Sequence, residues 1–372
     1  MPKLLVLSAG AGAGHNRAAE AVAASALEAD VPAEWFDALS FTGSVFRNLY
    51  AQSYLWMAGR SPALWGMLYK RMGRRGDQPN LRKLMKTYDS LNYGKLMKRV
   101  EASAPDAIVC THFLPANVVL AHLGRSGPPV FTVITDFDVH QFWINEGVAG
   151  YFAGNDQVKW LLRGFDVPEE RIRTTGIPVH PLFSRTRGRD VVRRELGLAP
   201  GLPVVLFMSG GFGMGNMEEA LERLLALPSR FQLLVVAGKN EKMRKNLERI
   251  ARASARRARI YGFISNVQDF MEAADVMISK AGGLTSCECL ARGLPLIVFS
   301  PIPGQEERNA DYLMEQGAAV KAPTMDILEY KVHELLEDPP RLGRMKGSAA
   351  AMARPSAGRD VVAGVVDHLS RR

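Results

Sequence analysis

Cysteine is scarce in this chain. Cys110, Cys287 and Cys289 form no plausible disulfide framework, and the Cys-x-Cys pair on a predicted helix puts its sulfurs on different faces rather than around a metal. A reducing compartment follows. Long apolar runs are missing as well: no stretch offers the ~18 uninterrupted apolar residues of a membrane-spanning helix. The opening residues, MPKLLVLSAG, run straight into a strand without a charged n-region, an apolar h-region or a cleavage site. The expectation is a cytoplasmic protein that does not span a membrane. Acidic residues are absent between Ala38 and Gly76, and the net charge of +9 is correspondingly uneven. From Ala38 to Arg99 twelve Lys or Arg stand against only Asp77 and Asp89, which accounts for the whole surplus. A basic field confined to one segment points to an anionic surface met on one side, either nucleic acid or an acidic membrane.

That segment is also rich in rings. Nine aromatics lie between Trp35 and Tyr69, Trp56 and Trp65 among them, and Lys70, Arg71, Arg74 and Arg75 follow directly. Gly73, Gly76 and Pro79 interrupt the stretch, so a helical hairpin and a basic loop are expected in place of one long helix. Rings for a headgroup boundary and cations for anionic lipid make an interfacial element. The same pattern also suits a core-facing aromatic stripe with a solvated charged face.

A chain of 372 residues exceeds one typical core, and two domains of roughly 180 residues are expected. Lys3–Leu7 is an apolar strand, and Ser8–Asn16 turns from it into an alanine-rich helix beginning near Arg17. The turn's G-x-G-x-G pattern lacks the spacing of a dinucleotide fingerprint, and no acid is seen to end a clear second strand, which disfavours a nicotinamide dehydrogenase. Ala107–Cys110, Val130–Thr135 and Tyr151–Gly154 are further strands, and their alternation with helical stretches predicts a parallel, doubly wound α/β half. A second half restarts at Pro203–Met208 with a strand, the Gly-rich Ser209–Gly215 and a helix from Met217. The predicted domains are residues 1–183 and 203–354, joined by an Arg-, Gly- and Pro-rich linker at 184–202. The last stretch, 355–372, is expected to be a helix packing back on the first domain.

Candidate site residues sit where strands end. Asp275–Ser279 is a short strand, Ala281-Gly282-Gly283 breaks it, and Leu284–Ala291 starts as a helix. Such a unit aims free N–H groups and a helix dipole at one point, which suits a diphosphate, although glycines at a helix start also occur for packing alone. Glu288 lies about one turn inside that helix, within reach of a ribose on the same ligand. Pro295–Phe299 is the next strand, followed by polar Gln305, Glu306, Glu307 and Asn309. His15, at the mouth of the first turn, is a candidate base, kept neutral by a helix N-terminus, or a residue that merely caps the turn. Asp136 and Asp138 form the Asp-x-Asp pair that holds a divalent metal in some sugar transferases. Asp136, His140 and Trp143 also suit the lining of an acceptor cleft.

Taken together, SAGAGAGHN (Ser8–Asn16), TDFDVHQFW (Thr135–Trp143), MSGGFG (Met208–Gly213), YGFI (Tyr261–Ile264) and the stretch Lys280–Ala310 resemble the monogalactosyldiacylglycerol synthase and processive diacylglycerol glucosyltransferase group. The likeness to the N-acetylglucosaminyltransferase that makes lipid II is more distant. The resemblance implies a GT-B fold, two Rossmann-like domains facing a central cleft. It also implies inverting transfer of galactose or glucose from a UDP-sugar to diacylglycerol, no metal or other cofactor, no nucleic acid, and peripheral contact with the inner face of the cell membrane. By the same likeness Ile264 would hold the uracil through its backbone and Glu288 the ribose. Gly14, Ser209, Gly210, Gly211, Gly282, Gly283, Leu284 and Thr285 would line the donor, and Gln305 and Glu306 would touch sugar hydroxyls. His15 would be the base, with Asp136 as the alternative, and His140 and Trp143 would serve the acceptor. A UDP-sugar epimerase, a lipid II-type transferase and a non-catalytic nucleotide-sugar-binding membrane protein are the competing functions.

Overall fold

The computed structural model describes residues 1–10, 13–43, 93–124, 127–208, 217–254 and 258–371. The aromatic and basic stretch carrying Trp56, Trp65, Lys70, Arg71, Arg74 and Arg75 lies outside these residues, as do Ser209, Gly210 and Gly211. By backbone contacts the chain divides into two units. One comprises Met1–Pro181, Ile302–Arg308 and Arg354–Arg372, the other Leu182–Pro301 and Asn309–Ala353.

The first unit is a six-stranded parallel sheet, β1 (Leu4–Ser8), β2 (Ala33–Asp37), β3 (Ala107–Cys110), β4 (Val130–Val133), β5 (Val148–Ala153) and β6 (Ile172–Thr174), in the order β2-β1-β3-β4-β5-β6. A strand covered on both faces reads as an unbroken apolar run, as β1 does. Leu5 and Leu7 join a core with Ile108 and Cys110 beneath α2 (Gly94–Ser103) and α3 (Phe113–Leu123). Leu4 and Val6 join the opposite core with Val109 and Val133 beneath α1 (Ala13–Glu28). The helix α4 (Asp156–Gly164) precedes the edge strand β6. The terminal helix, Ala357–Ser370, lies against α1 so closely that a Cβ on Gly358 would collide with the Ser25 hydroxyl.

β2 departs from the sequence reading, which saw no acid closing a second strand. Asp37 ends this strand. Its five residues are only partly buried at the sheet edge, so they carry no apolar run by which to find it.

The second unit repeats the plan with β7 (Val204–Met208), β8 (Gln232–Val236), β9 (Ala258–Tyr261), β10 (Val276–Ser279), β11 (Leu296–Phe299) and β12 (Ala319–Ala322). All pairings are parallel, in the order β12-β11-β10-β7-β8-β9. Residues 184–202, read as a linker, lie inside this unit. They carry α5 (Arg189–Glu195), and the backbone N–H groups of Arg187 and Gly188 donate to Glu272. The helices that follow are α6 (Met217–Ala226), α7 (Glu241–Ala253), α8 (Val267–Ala273), α9 (Gly283–Ala291), α10 (Gln305–Glu315), α11 (Met325–Glu337) and α12 (Pro339–Met352), and α13 is the terminal helix already given. Among the described residues no helix is long and apolar enough to cross a membrane.

Asp275, just before β10, ties α5 and α12 to the sheet. It receives Arg189, Arg193 at 2.6 Å, Lys346 at 2.8 Å and the Val204 N–H at 2.9 Å. Burial alone would push its carboxyl up, but these hydrogen bonds and cations hold it down at about 2. A carboxyl depressed on folding stabilises above its ordinary value, and that contribution disappears as pH falls through the folded value. Asp275→Asn should therefore cost about 2 kcal/mol at neutral pH. Urea melts of the two proteins should converge as the pH approaches about 2.

Candidate functional site

In a parallel sheet every strand delivers its C-terminal turn to the same edge, and ligands bind where the strand order reverses. The first sheet reverses between β1 and β3, and the second between β7 and β10. The turn after β1 opens into α1, which starts at Ala13 and not near Arg17 as expected, so Gly14 and His15 lie in its first helical turn, and the turn after β3 carries Thr111 and His112 into α3.

These turns are bonded to each other. His15 Nδ1 lies 3.1 Å from the Thr111 carbonyl oxygen and 2.9 Å from the Thr135 hydroxyl. The Thr111 hydroxyl donates back to the His15 carbonyl at 2.9 Å. A carbonyl only accepts, so the proton of a neutral His15 belongs on Nδ1, and Nε2 keeps its lone pair. Burial lowers the pKa of His15, and Asp136 opposes this by attracting the imidazolium. The residue as a whole is half-buried.

Around His15 lies a ring cluster. His112 stands edge-on to it at 4.5 Å between centroids, and Trp143, almost fully buried, is 6.4 Å away. His112 Nδ1 accepts the Leu114 N–H at 3.0 Å and so caps α3. His140 is 6.2 Å from Trp143, and burial pushes its pKa down to about 3. Three neutral imidazoles thus share one patch. Asp138 is buried and its carboxyl is raised by burial, while Asp136 is half-exposed, so the two acids of the Asp-x-Asp pair occupy unlike environments. Among the described residues no group of three or more His, Cys, Asp or Glu side chains is placed to hold a metal.

Thr111, Thr135 and Asp37 were not among the candidates from sequence. Two of them were visible as polar residues ending apolar strands. Asp37 accepts from the Gly10 and Leu39 N–H groups, each at 3.0 Å, and from the Asn16 amide at 3.2 Å. It thereby fixes the turn that presents His15.

In the second unit, β10 runs into α9 through Gly282, whose φ of −67° is open to any residue. Gly282 caps the helix without a side-chain hydrogen bond, whereas Asn155, Asn240 and Thr324 cap α4, α7 and α11 with theirs. The first-turn N–H groups of Gly283, Leu284 and Thr285 have no partner within the helix by geometry, and the helix dipole adds positive potential there. Glu288 lies on the same helix and is 2 % exposed. Ile264 follows β9 and is half-buried. Gln305 and Glu306, which open α10, belong by backbone contacts to the first unit, and there the Glu306 carboxylate accepts the Ile302 N–H at 2.6 Å. At least one of its oxygens therefore serves the backbone.

Residues 15–179 match the family model described as monogalactosyldiacylglycerol (MGDG) synthase, and residues 210–360 match that of the glycosyltransferase family 28 C-terminal domain. The chain is 29 % identical to a processive diacylglycerol beta-glucosyltransferase of Bacillus cereus, over 95 % of this chain and 90 % of that one. Among solved structures it resembles Acinetobacter baumannii MurG, with a TM-score of 0.64 and 17 % identity over 99 % of this chain and all of that one. A Staphylococcus aureus MnaA–UDP structure gives 0.66 and 12 % identity over 100 % of this chain and 97 % of the other. The fold is GT-B.

Asp37→Ala should leave the sheet folded and release the first turn, lowering turnover by about tenfold or more, since small misplacement of a reacting group is costly. Steady-state kinetics beside a circular dichroism melt would check this.

Proposed function

We propose that this chain, which pairs a monogalactosyldiacylglycerol synthase domain with a glycosyltransferase family 28 C-terminal domain and so belongs to the UDP-sugar glycosyltransferases of that family, transfers a hexose to diacylglycerol with inversion at the anomeric carbon. The observation that carries the chemistry is His15 Nδ1 set against the Thr111 carbonyl, which in the neutral ring leaves the lone pair on Nε2, while burial lowers the pH at which the ring becomes protonated. Nε2 takes the proton of the acceptor hydroxyl as its oxygen attacks C1 of the sugar. The C1–O bond to the diphosphate breaks, and the electron pair leaves with UDP. Asp136 stabilises the imidazolium that forms, and such a base contributes roughly 10²–10⁴-fold. It is the alternative base itself.

The leaving diphosphate gains charge as the bond breaks. In this reading the uncapped N–H groups at Gly283, Leu284 and Thr285 meet it, together with Gly14, Ser209, Gly210 and Gly211, and each well-aimed donor is worth about 3 kcal/mol. Ile264 holds the uracil through its backbone, Glu288 the ribose, and Gln305 and Glu306 the sugar. His140 faces the acceptor side, and Trp143, expected there from sequence, is almost fully buried and instead packs behind the imidazoles. Trp56, Trp65, Lys70, Arg71, Arg74 and Arg75 bring the protein to an anionic membrane surface where diacylglycerol resides. The donor is UDP-glucose or UDP-galactose, and no metal takes part.

The test is to incubate purified protein with diacylglycerol vesicles and a panel of UDP-sugars, then read the lipid by mass and its anomeric configuration by NMR. A hexosyl lipid of inverted configuration supports the assignment. Isomerised UDP-sugar with unchanged lipid would replace it by an epimerase.

His15→Ala should lower turnover by two orders of magnitude or more with UDP affinity little changed, because a base acts in the transition state. In the wild type the acid limb of the kcat/KM profile should fall below the usual histidine range. The base must be neutral, and burial lowers the pH at which it becomes protonated. Glu288→Ala should weaken UDP binding by about 1.5–3 kcal/mol, the worth of a charged hydrogen bond, in a calorimetric titration.

A further inference from the structure

Helix α7 of the second unit carries a charge pattern that the donor site does not use. Its sequence, EKMRKNLERIARA, holds five cations against Glu241 and Glu248. Met243, Leu247 and Ile250 are buried in the core and fix the helix's orientation. Lys242, Lys245, Arg249 and Arg252 recur at helical spacing away from that face, and all four are exposed. They form one stripe about 15 Å long.

The two acids do not cancel it. Both lie along one border of the stripe, where Arg244 holds Glu241 at 2.9 Å through Nε and also bonds Glu248. Arg252 reaches Glu248 only at 3.5 Å and is 81 % exposed, a solvated contact of little strength. Just before the helix, exposed Lys239 holds its ammonium 5.2 Å from the ring centroid of Phe263. Phe263 is 67 % exposed, and its turn packs on Arg244 of the same helix. An exposed ring and cation at the start of a helix that carries a straight row of cations supply the chemistry of a surface that meets anionic headgroups.

We propose that this face of α7, with Lys239 and Phe263, is a contact of the second unit with an anionic lipid surface, additional to the basic stretch of the first domain. A flat anionic surface can meet all four cations of a straight helical stripe together, and the neighbouring ring can enter the headgroup layer. The proposal rests on the reading that the protein works on a membrane lipid.

The test uses the full chain with Lys242, Lys245, Arg249 and Arg252 all changed to Gln, which keeps helix propensity. It is measured both in the wild-type background and in one where Lys70, Arg71, Arg74 and Arg75 are also Gln. Co-sedimentation with phosphatidylglycerol/phosphatidylcholine vesicles should fall by about tenfold or more in each background, because each cation near an anionic leaflet contributes measurably. The salt dependence of the remaining binding should be shallower. Hexose transfer to diacylglycerol in neutral detergent micelles should be unchanged. The proposal is overturned if the Gln variant sediments like its parent, if neither parent binds anionic vesicles, or if a single-stranded oligonucleotide displaces the vesicles at equal ionic strength. Vesicle binding that depends on the stripe in a protein that transfers no hexose would sink the enzymatic reading and leave this face standing.

Discussion

A parallel strand can follow its neighbour only through a crossover, and this constraint governs both units. Each strand must leave the sheet at its C-terminal end, so the turns after β1, β3 and β4 open on one edge of the first sheet. Residues as distant as His15, Thr111 and Thr135 reach hydrogen-bond distance through it. The second sheet obeys the same rule with another strand order, and Gly282 and Ile264 follow strands that end on its common edge.

The two units use that shared geometry differently. In the first, it gathers side chains into a crowded, largely buried patch. Burial keeps His15, His112 and His140 neutral, and a carbonyl fixes which nitrogen of His15 bears the proton. In the second, the candidate donor site rests on backbone. A helix start without a side-chain cap leaves N–H groups available to an anion, which a capping Asn or Ser would have taken up.

Charge is likewise divided by role. The Asp275 cluster consumes Arg189, Arg193 and Lys346 in holding helices to the sheet, so those cations are structural. On α7 the acids are tied by Arg244, and the outward cations remain at the surface. Cations that look alike in composition therefore serve folding in one place and an external partner in the other.

Much was legible in the sequence, because strands buried on both faces are apolar runs and glycines punctuate them. Ala107–Cys110 and Glu241–Ala253 could be bounded to the residue. What remained hidden was whatever depends on edges and partners. The short β2 sits half-buried at a sheet edge, and an edge strand needs no apolar pattern, so Asp37 went unseen as its end. The stretch 184–202 read as a linker because Arg, Gly and Pro dominate it, yet its arginines find Asp269 and Asp275 some eighty residues away. Sequence placed a histidine, His15, after the first strand. Only the tertiary structure decided what that ring meets, since the Thr111 carbonyl facing its Nδ1 comes from a turn ninety-six positions downstream.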